Sequence, residues 1–399
     1  MNKKMISPVL GCALFLALGV ASVVAPQTKS QKEELASMPK LSAETLLRQD
    51  LAQQWNDYLS KHIVGREVIQ KLSNQMTVFL SAPKVNDVFI LEDRLIQNVS
   101  SVNPVTAKRN TEAVNFFAQS YPDLPVYFSL RPTAAAVYQD EMPAAPNLMD
   151  QVAVINGIYG DGRQQNNLSN SPPEQEEKPS EYGTLENIYA IDLHTFLMAN
   201  KQQEIFYHTD SMWTSLGAYN AYSSLVTGMG DSAISKDLFN IEHAQTDYYG
   251  GLYEKTLIKR GDGDGIDLYT HAPDQVIELV KCYEGGNVKE LYSLYFEEYL
   301  NTPQATNVFL GADRGVTEIE TNLKSEHKLL LFGDEYSKPL LQFLSLHFQT
   351  VTFVNLNALT SDQYQLIDPD EYDSALFLYS VENYVFDTSL TVKLQQLCS

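Results

Sequence analysis

KLLLFGDEYSKPLLQFLSLHFQTVTFVNL, residues 328–356, carries the pattern that sets the expected fold. Residues 329–332 are an apolar run of buried-strand length, and Gly333-Asp334 makes a sharp turn. Residues 339–347 carry apolar side chains at helical spacing, and 351–356 read as a second buried strand. Strand, tight glycine turn, helix and strand together make one parallel crossover. The residue just past such a turn sits at the carboxyl edge of the sheet beside a helix N-terminus, where α/β enzymes place nucleophiles. In this chain that residue is Glu335.

The same alternation recurs on both sides. A helix is predicted over 111–120, ending before Tyr121-Pro122, then a strand over 125–130 with Arg131-Pro132-Thr133 as the loop at its carboxyl end. Residues 150–159 read as a helix, 188–193 as a strand ending in Asp192, and 194–201 as a helix. Residues 375–379 close the pattern as a strand running into Ser380-Val381-Glu382-Asn383. Alternating strands and helices predict a parallel sheet flanked by helices. Residues 204–226, EIFYHTDSMWTSLGAYNAYSSLV, predict a strand, a turn at Thr209-Asp210, and a helix from Thr214. Gly217 allows that helix to pack closely, and Thr214 or Ser211 would cap it.

The amino-terminal part is read differently. Lys3 and Lys4 precede an uncharged apolar run over 5–25, which predicts a signal peptide or signal anchor over 1–26. Residues 27–42 are polar and read as a flexible stalk. From 43 to 399 one α/β domain is expected, opening with an amphipathic helical segment over 43–72 that puts Leu47, Leu51, Trp55 and Tyr58 on one stripe. Strands follow over 76–96 around an Asn86-Asp87 turn. Residues 161–181 are nearly devoid of apolar side chains and predict a disordered insertion.

With a net charge of −22 and a pI near 4.6, the chain is a poor partner for nucleic acid or an anionic membrane surface. Such a charge suits an extracellular setting, membrane-anchored or secreted, with the membrane contacted through the amino-terminal segment. It also suits binding of cations or a basic polymer. Cysteines stand at 12, 282 and 398, and whether Cys282 and Cys398 pair is left open. Asp262, Asp264 and Asp267 lack the spacing of a calcium loop and read as a solvated turn. No cofactor and no metal site are predicted.

Taken together these pieces resemble the DHHW family of exported bacterial proteins, named for an Asp-His-His-Trp run followed by T-x-x-G-A-Y-x-A-Y. The matching residues are Asp210, Trp213, Thr214, Gly217, Ala218, Tyr219, Ala221 and Tyr222. Arg131-Pro132-Thr133-Ala134, Tyr249-Gly250-Gly251-Leu252, Phe309-Leu310-Gly311 and Tyr372-Asp373 support the match, which spans roughly 38–390. The family looks related to SGNH-type esterases and to alginate O-acetylation proteins (AlgX/AlgJ-like). The resemblance therefore implies an SGNH-hydrolase-like sheet and a place in cell-surface polysaccharide metabolism, with the polysaccharide or glycan-modification proteins as partners.

In such relatives a Ser after Gly-Asp is the nucleophile, Asp-x-His supplies orienter and base, and an Asn after a Gly helps to bind the oxyanion. Here those positions read Glu335, Asp210 with Met212, and Asp313 in Gly311-Ala312-Asp313; Asp334 is kept. A carboxylate cannot replace the hydroxyl in acyl transfer, a thioether has no proton to trade, and Asp313 would repel an oxyanion. The resemblance so read implies a pseudoenzyme that binds or scaffolds, with a ligand cleft made by Arg131, His208, Asp210, Trp213, Asp334 and Glu335. Asp210, Asp313, Asp334 and Glu335 are expected to converge there, unless Glu335 turns outward or pairs with Lys338 or Arg131. Tyr207, Tyr219, Tyr248 and Tyr249 are candidates for stacking on sugars or for packing helix against sheet. The alternative is an active carbohydrate esterase or O-acetyltransferase with a non-standard site.

Overall fold

Eight strands in the order β5-β4-β13-β11-β12-β10-β8-β9 build the central sheet. These are β4 (Val126–Arg131), β5 (Tyr189–Ala190), β8 (Ile277–Glu284), β9 (Asn287–Leu291), β10 (Val316–Thr321), β11 (Lys328–Gly333), β12 (Thr350–Val354) and β13 (Ser374–Ser380). The computed structural model describes residues 71, 74–75, 84–100, 104–143, 147–160, 180–271 and 276–398. The expected leader, the stalk, most of the 43–72 helix and all but the last two residues of the 161–181 insertion lie outside these.

The chain divides into two units: residues 83–255 with 259–399, and residues 1–82 with 256–258. In the second unit the Asn74 side chain donates to the Thr256 carbonyl at 2.6 Å. All that follows concerns the first.

The expected parallel sheet is found in five of these eight strands. β4, β5, β11, β12 and β13 are mutually parallel, whereas β10 pairs antiparallel with β12, β8 with β10, and β9 with β8. The sheet is therefore mixed, a correction: β10 enters antiparallel to β12 and β8 antiparallel to β10, and β8 and β9 then form a hairpin over Gly285-Gly286, both at positive φ, which is antiparallel by construction. Two smaller sheets accompany it, β1 (Lys84–Val85), β2 (Val88–Ile90) and β3 (Leu95–Gln97), and a ribbon of β6 (Phe239–Tyr248) with β7 (Asp264–His271). Asn86 and Asp87 have φ of 48° and 63°, the conformation of a two-residue hairpin turn.

Period-two alternation gives the sheet two buried faces. Leu329, Leu331, Val351, Phe353, Leu376 and Leu378 face one core, packed with Ala218, Ala221, Tyr222 and Leu225 of the helix Ser215–Gly228. Leu330, Phe332, Val354, Ala375 and Phe377 face the other, packed with Val114 and Phe117 of the helix Pro104–Ser120. Phe332 and Phe377 stack at 4.7 Å with Phe117 edge-on to both. The helix expected over 339–347 is instead a 3₁₀ stretch, Glu335–Leu340, followed by one α turn, Leu341–Leu344, because Pro339 interrupts the ladder.

Candidate functional site

Three neighbouring parallel strands end at one edge. Arg131 closes β4, Ser380 closes β13 opposite it, and Gly333 closes β11. The chain beyond each strand converges here, as the carboxyl edge of a parallel sheet requires.

Asp334, just past β11, is 1% exposed. Its Oδ1 accepts from the Tyr336 backbone N–H at 3.1 Å, capping the 3₁₀ helix. Its Oδ2 accepts from the Ser380 N–H at 2.7 Å and from the Asn383 side-chain amide at 3.0 Å. The same Asn383 nitrogen reaches Glu335 Oε2 at 3.2 Å. Burial, and then the charge of Glu335, push the Asp334 carboxyl up to about 7. Glu382, on the helix Val381–Phe386 that follows β13, is also raised by burial.

Arg131 is the cation of this edge and is 1% exposed. Its guanidinium carbon lies 4.0 Å from the Tyr336 ring centroid and 5.2 Å from those of Phe206 and Trp213. Nη2 donates to the Ser211 carbonyl at 2.5 Å, and Nε has no partner among the described residues. The Ser211 hydroxyl meets the Tyr336 hydroxyl at 3.1 Å, so the 209–212 turn and the start of the 3₁₀ helix are neighbours. Gln97, Arg131, Ser211, Leu252, Tyr336 and Glu382 are among the residues lining a depression between them, with about 10 Å³ of space, room for one water molecule.

Several expected members are placed elsewhere. The Asp210 carboxylate turns away from the edge: Oδ2 accepts from the Tyr248 hydroxyl and the Gly251 N–H, each at 2.8 Å, and Oδ1 from the Met212 N–H at 2.9 Å. Met212 packs into the core at 7% exposure. Asp313 is 53% exposed and ion-paired with the buried Lys338, whose Nζ also donates to the Gly311 carbonyl at 2.9 Å. The four-carboxylate convergence is thus corrected: Asp334 and Glu335 meet, but with Glu382, not with Asp210 or Asp313. Glu335 pairs with Asn383 in place of Lys338, because Lys338 is committed to Asp313.

His208 does not line the depression. Its backbone is pinned between Leu95 and Asp264. Asp264 accepts from the N–H groups of His208 and Thr209 and from the Thr209 hydroxyl, so it is a buried clamp and not the solvated turn expected. Tyr207 and Tyr248 are core residues at 2% and 3% exposure, closed to any sugar. Ser337 is fully buried, donates to the Leu378 carbonyl at 2.8 Å and does not line the depression. Cys282 and Cys398 are not bonded to each other. Among the described residues no three His, Cys, Asp or Glu side chains are placed to hold a metal ion, and no helix is long and apolar enough to cross a membrane.

Glu382, Asn383 and Tyr336 were missed from sequence. A signal existed, since Glu382 and Asn383 directly follow an apolar strand just as Asp334 does. What makes the two strand ends adjacent is the β11–β13 pairing, which no local pattern states.

The model of the DHHW protein family matches residues 180–354. That is narrower than the stretch read from sequence, and it contains the helix with the GAYxAY run. Among solved structures, a DHHW family protein from Eubacterium siraeum superposes with a TM-score of 0.61 at 17% identity, covering 78% of this chain and 96% of that one. Bacillus cereus PatB1, solved with a sulfonyl adduct, superposes with a TM-score of 0.60 at 17% identity, covering 75% of this chain and 96% of that one. No match is found among curated proteins.

Proposed function

We propose that this chain, with its likeness to the DHHW family, is an exported and catalytically inactive relative of that fold. It binds or scaffolds in cell-surface glycan metabolism related to O-acetylation. The observation that carries the reading is the occupancy of the strand edge. Where acyl transfer needs a hydroxyl and an imidazole, the chain has Glu335 held by Asn383 and Met212 buried in the core. Asp210, which would orient a base, is saturated by three hydrogen bonds. Loss of a single triad member lowers such rates by several powers of ten, and here two positions are replaced. The glycan part rests on the resemblance alone.

The rival reading, an esterase or O-acetyltransferase with a non-standard site, has one observation in its favour. Ser211 lines the depression with its hydroxyl 3.1 Å from that of Tyr336.

Because PatB1 has been solved with a sulfonyl adduct, a sulfonyl fluoride is the natural probe. Intact-mass labelling and p-nitrophenyl acetate hydrolysis are expected to stay at background for residues 38–399. The Glu335→Ser/Met212→His double variant is expected to gain the adduct at position 335. Labelling of the unmodified protein, lost in Ser211→Ala, would establish the rival.

A further inference from the structure

The depression at the strand edge holds a donor and an acceptor that do not meet. Glu382 lines it, half-buried, and its carboxyl accepts no hydrogen bond and forms no ion pair among the described residues. Arg131 lines it too, and among the described residues only one N–H of its guanidinium, on Nη2, is bonded. An unanswered carboxyl and a guanidinium with donors to spare thus share about 10 Å³ of space, room for one water molecule. We propose that the depression is a subsite for one free hydroxyl group of a neutral saccharide, which accepts from Arg131 and donates to Glu382. This rests on the glycan-binding role proposed above and names the group that is recognised.

Chemistry selects the occupant. A buried carboxyl without a donor and a guanidinium with unused donors are both costly, so the space favours a group that serves the two at once. A carboxylate or phosphate only accepts: it suits Arg131 but is repelled by Glu382, with Asp334 and Glu335 acting on the same guanidinium. An ammonium only donates, and Arg131 repels it. An acetyl ester only accepts, and its added atoms exceed the room for one water. A hydroxyl does both and has the size of the water it displaces. Ser211 and Tyr336 extend the match, because their hydroxyls, 3.1 Å apart, share one proton and leave the other for a second hydroxyl of the same sugar ring. Ala134, Ala135 and Leu252 complete the lining with apolar surface for ring C–H groups. Arg131 is also set in advance. The rings of Phe206, Trp213 and Tyr336 flank its guanidinium and the Ser211 carbonyl holds Nη2, so little freedom is lost on binding.

The test is binding of the full chain to an array of glucose, mannose, galactose and N-acetylglucosamine oligomers, each printed beside its per-O-acetylated form. Oligomers with free hydroxyls are expected to bind and their per-O-acetylated forms to lose binding. Acetate and inorganic phosphate should not compete. Glu382→Gln, which keeps the shape of the side chain, should weaken binding about tenfold, and Ser211→Ala about threefold. Tyr292→Ala, at an exposed tyrosine beyond β9 at the opposite edge of the sheet, should leave it unchanged. Binding that is equal in Glu382→Gln, lost in Tyr292→Ala, kept by the per-O-acetylated forms or displaced by phosphate overturns the hydroxyl subsite and leaves the glycan-binding role standing. Binding to no oligomer at all overturns both. If Glu382→Gln does not fold, judged by its melting transition, Ser211→Ala decides, and undiminished binding there overturns the subsite.

Discussion

Three donors converge on the Asp210 carboxylate from Met212, Tyr248 and Gly251, and they need both of its oxygens. Gly250 explains how the approach is possible: a Cβ there would lie 2.2 Å from Asp210 Oδ2. Asp210→Asn would turn an amide N–H toward one of these donors. It should lower stability by about 2 kcal/mol, read as the urea midpoint, through an unsatisfied buried donor. A residue kept for chemistry alone would instead tolerate the change in fold stability, so the measurement separates the two roles. Residue types at 210, 212, 334 and 335 were legible in sequence, as was the Thr214 cap, whose hydroxyl accepts from the Gly217 N–H at 3.1 Å. Orientation was not. Whether a carboxylate points into a cleft or back at its own turn depends on donors 38 and 41 residues away.

At the scale of elements, the GAYxAY helix shows what a short motif constrains. A Cβ on Gly217 would come 2.0 Å from the Ile205 carbonyl oxygen and 2.9 Å from its carbon, both backbone atoms that cannot swing aside. Gly217→Ala should therefore cost about 3 kcal/mol or more despite the better helix propensity of alanine. A melting temperature that does not fall would show the helix free to shift. The strand expected from 204 onward is reduced to a Phe206–Trp213 bridge, with a single further backbone bond from Leu95 of β3 to the His208 carbonyl. Strands β4, β11, β12 and β13 were readable because burial on both faces leaves continuous apolar runs. The antiparallel strands were less so: β9 is mostly exposed and carries no apolar signature.

For the molecule as a whole, the buried acid at the sheet edge sets a pH dependence. Asp334 is raised from 3.8 to about 7 on folding, so the folded chain holds a proton that the unfolded chain has released. Its contribution is fully present below about pH 4 and is lost as pH rises through 7, because the proton count of the unfolded state is then the smaller. Stability should fall by about 2 kcal/mol between pH 5 and pH 8, measured as urea midpoints, with Glu382 acting in the same sense. Asp334→Asn should flatten that profile; an unchanged slope would place the titrating group elsewhere. The sequence by itself determined the two-faced sheet, the strand that ends at Gly333-Asp334 and the loss of hydroxyl and imidazole, because burial periodicity and residue chemistry are local. Tertiary structure alone decided that Glu382 and Asn383 join Asp334 and Arg131 while Asp210 and Asp313 leave. That choice depends on strand order and on competition for distant partners, and neither is written in any one stretch of the chain.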